Sequence, residues 1–188
     1  MSKSVKEFFN SIANNYIHED NERIDDLLYS LNIKEGMRIL DLGTGKGIIS
    51  HRLFNLAHKE VIGLDISEKM IEIAKANNSN PNIKYVVDDF YNYQSEPFDM
   101  IVCFDAFPHF LDVDGFVNKA YSLLKDNGVL AIIHDCGREE LNNHHQAHAQ
   151  GVSRYLSDPE KEVRPFLNKF SIVSIDEGPD FYKIIVKK

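Results

Sequence analysis

The sequence predicts an α/β protein whose sheet is largely parallel and closes with an antiparallel hairpin. Up to residue 134, short apolar segments alternate with helical segments, which is typical of consecutive βαβ units. The apolar segments are almost wholly hydrophobic, as expected for parallel strands that are covered on both faces. Near the carboxyl terminus, two apolar segments are joined by the tight turn Glu177-Gly178-Pro179, which predicts the hairpin.

Seven segments have the composition of β-strands. The first, MRILDL, leads directly into a glycine-rich turn. The fifth, VLAIIH, follows Asp126-Asn127-Gly128, and these residue types are typical of turns. The predicted strands are 37–42, 60–65, 82–88, 98–105, 129–134, 170–176 and 180–186.

Helical segments lie before, between and after these strands. Ser67 is a good N-cap, and Glu68 follows it in the first turn, where a carboxylate interacts favourably with the helix dipole. Met70, Ile71 and Ala74 then form the apolar face of that helix. The predicted helices are 7–14, 21–31, 46–57, the segment after Ser67, 113–124, 139–156 and 159–169.

The length of 188 residues suits a single domain spanning 1–188. Within it, residues 1–32 are predicted to form an N-terminal helical lid, and 137–169 a helical insertion that serves as a cap. A cap of this size suits a small-molecule substrate.

Charge and composition exclude several classes of partner. Twenty-one basic and 29 acidic residues give a net charge of −8, which argues against binding of a nucleic-acid backbone. No apolar run is long enough to cross a bilayer, and the first residues lack the features of a signal peptide. Cys103 and Cys136 form no disulfide framework. We therefore expect a cytoplasmic protein with no nucleic-acid or membrane partner.

The segment RILDLGTGKGI, residues 38–48, predicts a ligand site at a strand-to-helix turn. Such a turn presents free backbone N–H groups, and Gly43 permits a sharp bend. Gly45 and Gly47 lack Cβ atoms, so a ligand or the next strand can approach closely. Asp65 follows Gly43 by 22 residues, about the spacing at which an acidic residue binds the hydroxyls of a ribose. The pattern indicates a nucleoside-containing cofactor.

Two residues bear on which cofactor this is. Nicotinamide and flavin fingerprints carry glycine at the sixth position of the motif, where this chain has Ile48. Asp41 places an acid beside the turn, which is unfavourable for a pyrophosphate and favourable for a ligand carrying an ammonium and a sulfonium group.

Taken in order, five segments resemble the motifs of class I S-adenosylmethionine (SAM)-dependent methyltransferases. They are 41–47, 61–65, 87–90, 98–105 and 123–130. The resemblance implies a Rossmann-like fold with a doubly wound, seven-stranded, mostly parallel sheet and a C-terminal antiparallel hairpin. It also implies SAM as the cofactor and transfer of a methyl group as the activity.

The resemblance assigns cofactor contacts to residues along these motifs. Those near the methionine part and the reactive methyl are Asp41, Gly43, Thr44, Gly45, Cys103 and Asp105. Those near the ribose and adenine are Asp65 for the hydroxyls, Ile66, Asp88 or Asp89, and Phe90. Asp88 stands where a glycine is common, so the choice between the two aspartates stays open. Tyr16 occupies the place of an aromatic on the lid helix, and packing in the core is an equal alternative for it.

Methyl transfer requires an aligned acceptor, exclusion of water and a group that removes a proton. His134, at the end of the fifth strand, is the first candidate for the general base, followed by His109; Asp105 is the third catalytic candidate. Alternatively, His144 and His148 bind a metal with His134 or Cys136, or ligate a metallated tetrapyrrole substrate. A third interpretation makes them polar residues of a solvated helix. We place no metal ligand among the predicted site residues.

The sequence thus predicts a methyltransferase that acts on a small molecule. A SAM-, metal- or tetrapyrrole-binding protein without turnover remains an alternative, and an NAD-dependent oxidoreductase is a distant one. The acceptor atom (N, O, S or C) and the oligomeric state are not set by the sequence.

Overall fold

A seven-stranded sheet forms the centre of the computed structural model, which describes residues 3–16 and 22–188. The strand order is β3-β2-β1-β4-β5-β7-β6. Strands β1 to β5 pair in parallel, and β7 pairs antiparallel with both β5 and β6. The strands are β1 (Arg38–Leu42), β2 (Glu60–Asp65), β3 (Ile83–Val87), β4 (Phe98–Phe104), β5 (Leu124–His134), β6 (Ser171–Gly178) and β7 (Phe181–Lys187).

Seven α-helices and two short 3-10 turns accompany the sheet in the described residues. The 3-10 turns are Phe107–His109 and Arg164–Phe166. The helices are α1 (Lys3–Ile12), α2 (Glu22–Tyr29), α3 (Ser50–Ala57), α4 (Glu68–Asn77), α5 (Val113–Leu123), α6 (Arg138–His148) and α7 (Pro159–Glu162). None of these described helices is long and apolar enough to span a bilayer.

The core is divided by the sheet because successive side chains of a strand point to opposite faces. In β1, Leu40 packs with the group that includes α5 and residues of 137–169, whereas Ile39 packs with α2, α3 and α4. Ile132 and Ile133 divide in the same way in β5. Burial on both faces explains the nearly continuous apolar strands. The predicted fold class is confirmed.

The chain changes direction across the sheet between β1 and β4. From β1 the chain proceeds outward through β2 to β3, and it then returns to the other side of β1 as β4. At such a switch point, the loops that follow neighbouring strands diverge and leave a crevice at the carboxyl edge of the sheet. The glycine-rich turn after β1 lies at this crevice.

Several predicted helix boundaries were wrong, each for a local reason. The helix predicted from residue 46 begins at Ser50, because the turn continues through Gly45 and Gly47, which have positive φ. The helix predicted at 139–156 ends at His148, shortly before Gly151, whose φ is +79°. Residues 159–169 form only α7 and a 3-10 turn around Pro165, which has no N–H to donate.

Other predictions hold with smaller shifts. The strand predicted at 60–65 matches β2, and Ser67 caps α4 by accepting a hydrogen bond from the N–H of Met70. The first helix runs from Lys3 to Ile12 rather than over 7–14, and α5 ends at Leu123. Of the predicted lid, residues 1, 2 and 17–21 lie outside the described residues.

The turn after β1 packs closely against the loop after β4. Gly43 has a φ of +76°, and a Cβ atom placed there would lie 2.5 Å from the Cβ of Ala106. Gly36, before β1, has a φ of +87° but no atom within 4 Å of such a Cβ. An alanine at Gly36 would therefore meet backbone strain alone, whereas an alanine at Gly43 would meet backbone strain and a steric clash.

We expect Gly43→Ala to lower the free energy of unfolding by about 2–5 kcal/mol, from left-handed strain plus overpacking. Gly36→Ala carries the strain alone and is expected to cost about 1–2 kcal/mol. Urea denaturation measures both, and adding Ala106→Gly should recover part of the Gly43→Ala loss. Equal losses for the two single variants would contradict the close packing.

Candidate active site

A cleft of about 800 Å³ opens at the carboxyl edge of the sheet, over the switch point between β1 and β4. The glycine-rich turn forms its floor, and α1 with the residues that follow it forms its roof. Many of the predicted site residues line this cleft: Tyr16, Asp41, Gly43, Thr44, Gly45, Asp65, Ile66, Asp88, Phe90, Asp105 and His109. The strand ends thus bring together residues that are distant in sequence.

The carboxyl group of Asp41 is buried beneath the turn. Its Oδ2 accepts hydrogen bonds from the hydroxyls of Thr44 at 2.6 Å and Ser50 at 2.5 Å. Burial raises its pKa from an ordinary 3.8 to about 6, although the two hydroxyls oppose this rise. Asp41 therefore connects the end of β1 to the beginning of α3.

Asp65, at the end of β2, connects the glycine-rich turn to the N-terminus of α4. One carboxylate oxygen accepts a hydrogen bond from the Gly45 N–H at 2.9 Å, and the other accepts one from the Ser67 N–H at 2.8 Å. Burial raises its pKa, and the backbone hydrogen bonds counteract this effect. The acid that the sequence assigns to a ribose thus lies beside the turn.

Helix α1 is held to the side of the cleft formed by α4. Asn10 accepts hydrogen bonds from the Ser67 hydroxyl at 2.7 Å and the Lys69 N–H at 3.2 Å. Its amide also donates to Glu68, with which Lys6 forms an ion pair. These contacts close one side of the roof with polar groups.

Other contacts hold the roof to the glycine-rich turn and to the residues after α6. Val5 is fully buried with Ala149 and Val152. The ammonium group of Lys46 donates to the carbonyl oxygen of Tyr16 at 2.6 Å. Burial, with the charges of Asp105, Asp135 and Asp65, raises the pKa of the Tyr16 phenol, so this group stays protonated at neutral pH. The roof therefore spans the cleft.

Asp105 lies where the chain leaves β4, in a left-handed backbone conformation with a φ of +50°. Such a conformation is uncommon for aspartate and is enriched at functional sites. Its N–H donates to the carbonyl of Ile133, and its Oδ1 accepts from the N–H of Asp135 at 3.2 Å. These bonds fix the carboxylate at the cleft.

His134, the first candidate for the base, lies behind Asp105. Its ring is fully buried, and its Nδ1 is 3.2 Å from Oδ1 of Asp105. The ring also contacts that of Tyr182, with centroids 6.0 Å apart. His134 is not among the described residues that line the cleft, so Asp105 separates it from any ligand there.

His109 lines the cleft, and its Nδ1 lies 2.9 Å from the carbonyl oxygen of Val152. Because a carbonyl oxygen only accepts hydrogen bonds, Nδ1 carries the proton, which leaves a lone pair on Nε2 in the neutral ring. Burial lowers the pKa of His109 to about 4, so the ring is neutral at physiological pH. The ring edge contacts Phe9, with centroids 4.8 Å apart.

Two further predicted residues do not line the cleft in the described structure. Cys103 is buried within β4, and burial raises its thiol pKa. Asp89 accepts a hydrogen bond from the N–H of Tyr91, whereas its neighbour Asp88 lines the cleft. The geometry therefore favours Asp88 over Asp89.

Some lining residues were not predicted. Phe9 belongs to an amphipathic helix, and an amphipathic pattern does not indicate which apolar residue contacts a ligand. Lys46 lies inside the glycine motif and could have been predicted, because a charged side chain at that position is not needed for packing in the core. The other lining residues that were missed are Leu42, Ile48, Ile49, Leu64, Met70 and Ala106.

The histidines of α6 show no metal-binding geometry. The rings of His144 and His148 have centroids 4.9 Å apart, and both residues are exposed. Over residues 3–16 and 22–188, no group of three or more histidine, cysteine or acidic side chains is arranged to hold a metal ion.

Comparison with known proteins identifies the family. The sequence profile of the family described as "Methyltransferase domain" matches residues 33–176, from before β1 into β6. The chain belongs to the class I SAM-dependent methyltransferases. The fold of this chain is similar to that of the S-adenosylmethionine-dependent methyltransferase from Mesorhizobium loti, with a TM-score of 0.72 and 18% identity. The alignment covers 87% of this chain and 96% of that structure.

Curated relatives match over part of their lengths. An uncharacterized methyltransferase of Schizosaccharomyces pombe is 36% identical over 122 residues, which are 57% of this chain and 43% of the relative. The ubiquinone biosynthesis O-methyltransferase of Pelagibacter ubique is 32% identical over 127 residues, or 66% of this chain and 52% of the relative. The chain spans about half the length of these relatives. The predicted family and its cofactor, SAM, are confirmed at the level of the family.

The buried carboxyl of Asp41 predicts a pH-dependent stability. Because folding raises its pKa from 3.8 to about 6, the neutral form stabilises the folded state at low pH, and this contribution disappears as pH rises through about 6. Asn at this position keeps an acceptor for both hydroxyls and does not titrate.

Between pH 4 and pH 7, the wild type should lose about 2–3 kcal/mol of unfolding free energy relative to Asp41→Asn. Urea denaturation of both proteins at each pH gives the difference, in which titrations common to both cancel. A difference that does not change with pH would contradict the raised pKa.

Proposed function

We propose that this chain transfers the methyl group of SAM to a small-molecule acceptor bound in the cleft. One observation carries the proposal: four carboxylic side chains line the cleft, those of Asp41, Asp65, Asp88 and Asp105. The lysine that lines it, Lys46, is bonded to the Tyr16 carbonyl. Such a site suits a ligand with sulfonium and ammonium groups and opposes the pyrophosphate of a dinucleotide.

The residues present fit SAM. Gly45 has a φ of +52° and no atom within 4 Å of a Cβ position, so its backbone is open to a ligand. Asp65 would accept hydrogen bonds from the ribose hydroxyls, and Ile66 and Phe90 offer apolar surface for the adenine. Asp41 and Asp105 would face the positively charged end. When bound, SAM supplies a methyl group on a good leaving group.

The acceptor region is proposed to lie between Asp105, His109 and the roof. Phe9, Tyr16 and Phe110 supply aromatic surface there. The cleft is concave and lined by apolar and aromatic side chains with a few polar groups, as is typical of small-molecule sites, and the net charge of −8 disfavours a nucleic acid. We propose that residues 3–16 act as the lid and that 137–169 act as the cap.

His109 is the proposed proton acceptor. Its neutral ring carries a lone pair on Nε2, and the Val152 carbonyl fixes this tautomer. A weak base suffices because an acceptor becomes acidic as it gains the methyl carbon. Asp105 is proposed to orient the acceptor, and His134 acts through Asp105 as a positioning residue.

The ribose assignment is tested by Asp65→Asn, which removes the charge but keeps one acceptor oxygen. We expect the affinity for S-adenosylhomocysteine to fall by about 1–3 kcal/mol in isothermal titration calorimetry, because a charge-assisted contact is lost. Asp26→Asn, at an exposed position of α2, makes the same charge change and should leave the affinity unchanged.

NADH is the control ligand in the same titration and should not bind to the wild type. Equal affinities of wild type and Asp65→Asn would refute the ribose contact. Binding of NADH in place of S-adenosylhomocysteine would overturn the proposed function.

The catalytic assignment requires an acceptor, which screening for release of S-adenosylhomocysteine provides. With that acceptor, His109→Gln should lower kcat by about 10²–10⁴-fold, as expected for loss of a general base, with little change in cofactor affinity. His51→Gln, on the exposed side of α3, is the matched control.

Wild-type turnover should also fall as pH approaches 4, where His109 becomes protonated. This fall in turnover at acidic pH, the acidic limb of the pH profile, should be absent in His109→Gln. A normal kcat in His109→Gln, or the same limb in both proteins, would remove His109 as the base.

A further inference from the structure

A second pocket, separate from the cleft, lies between α6 and residues 150–155, with about 500 Å³ of empty space. None of the described residues that line it is acidic, in contrast to the four carboxylic side chains of the cleft. Its polar and aromatic lining residues are Asn142, His145, Gln146, Gln150, Ser153, Arg154 and Tyr155. We call it the cap pocket.

The guanidinium of Arg154 is only partly paired. Its Nη1 forms an ion pair with Oε1 of Glu162 at 2.5 Å and donates to the Tyr155 carbonyl at 3.3 Å. The group lies over the ring of Phe107, 4.6 Å from the centroid. These contacts hold the guanidinium in one orientation.

The other edge of the guanidinium has no partner. Its Nε and Nη2 atoms are both buried, and neither has a hydrogen-bond partner among the described residues. These two N–H groups point in parallel and match the two oxygens of a carboxylate. Because buried polar groups are nearly always paired, this bidentate edge needs a partner from outside the described residues, either ordered water or a ligand.

His145, which also lines the cap pocket, has a second unpaired group. Its Nδ1 is buried without a partner among the described residues. Burial lowers the pKa of His145 to about 3, so its ring is neutral and can place its one proton on Nδ1. The ring lies 5.0 Å, between centroids, from that of His109, which lines the cleft.

We propose that the cap pocket binds a small carboxylate, whose oxygens pair with Nε and Nη2 of Arg154 and accept a hydrogen bond from Nδ1 of His145. The carboxylate belongs either to the acceptor itself or to a separate small effector. Because this edge is buried, binding of the carboxylate requires a side-chain movement, and we assign that movement to Tyr155, which is 59% exposed. Contact between His145 and His109 connects an occupant of the cap pocket to the cleft.

The probes are benzoate and succinate, each compared with its uncharged amide at constant ionic strength. With full-length protein, we expect the carboxylates, but not the amides, to raise the melting temperature and to shift the Nε–H resonance of Arg154 in nitrogen-15 NMR. In Arg154→Gln, the melting temperature should not respond, and the dissociation constant should rise at least tenfold.

Three variants separate this site from general charge effects. Arg164→Gln makes the same charge change at an exposed position and should respond like the wild type. Glu162→Gln leaves the open edge of Arg154 in place and should keep its response. Arg154→Lys retains the charge but not the two parallel N–H groups. It should therefore lose most of the melting-temperature response, and it tests the site even if Arg154→Gln fails to fold.

The outcomes are distinct from those of the proposed function. Arg154→Gln should still bind S-adenosylhomocysteine normally, since Arg154 does not line the cleft. The carboxylate belongs to the acceptor if the wild type methylates carboxylate-bearing compounds, and if this activity is lost both with their amides and in Arg154→Gln. A response without methylation of the probe or its analogues assigns it to an effector. Equal responses to acid and amide, or of wild type and Arg154→Gln, would overturn the site.

Discussion

The candidate active site depends on the buried carboxyl of Asp41. Two hydroxyl hydrogen bonds connect this one side chain to Thr44 in the glycine-rich turn and Ser50 at the start of α3. The turn is thereby held against the end of β1, with Gly43 close to Ala106 after β4. Asp41 adds this side-chain connection to the backbone hydrogen bonds that join the turn to Leu64 in β2.

Asp65 extends the same organisation to the neighbouring strand. It accepts hydrogen bonds from N–H groups of both the glycine-rich turn and the N-terminus of α4, so the turn, β2 and α4 share one set of hydrogen bonds. The carboxylic groups that would attract a sulfonium ion therefore also shape the backbone around it. Binding and local structure are consequences of the same charges, and burial raises the pKa of both acids.

Sequence reasoning was strongest where one physical signal dominates. The strand at 60–65 was predicted with its observed limits because it is a short apolar run between charged residues. The helix predicted from residue 46 began too early because Ile48 and Ile49 have the apolar character of a helix face, although the turn continues through them. The long helix predicted at 139–156 was wrong because residues of helical composition continue beyond Gly151, although the backbone at Gly151 is not helical.

The sequence predicted which residues belong to the candidate site better than it predicted where their side chains point. His134 ends a strand, but its fully buried ring packs against Tyr182 behind Asp105 and does not line the cleft. The positive φ of Asp105 turns the chain at the cleft, and no sequence pattern signals that conformation at an aspartate. Arg154 was one of several arginines, and only its tertiary surroundings distinguish it from those on solvated helices.

The position of α1 has a consequence for the kinetics. The helix crosses the cleft with polar contacts to α4 on one side and a small apolar contact at Val5 on the other. Few apolar contacts mean that its local opening costs much less than global unfolding. Under the proposed function, cofactor exchange and acceptor entry would both depend on this opening, and its rate would then set an upper limit on the turnover number, however fast the chemical step is.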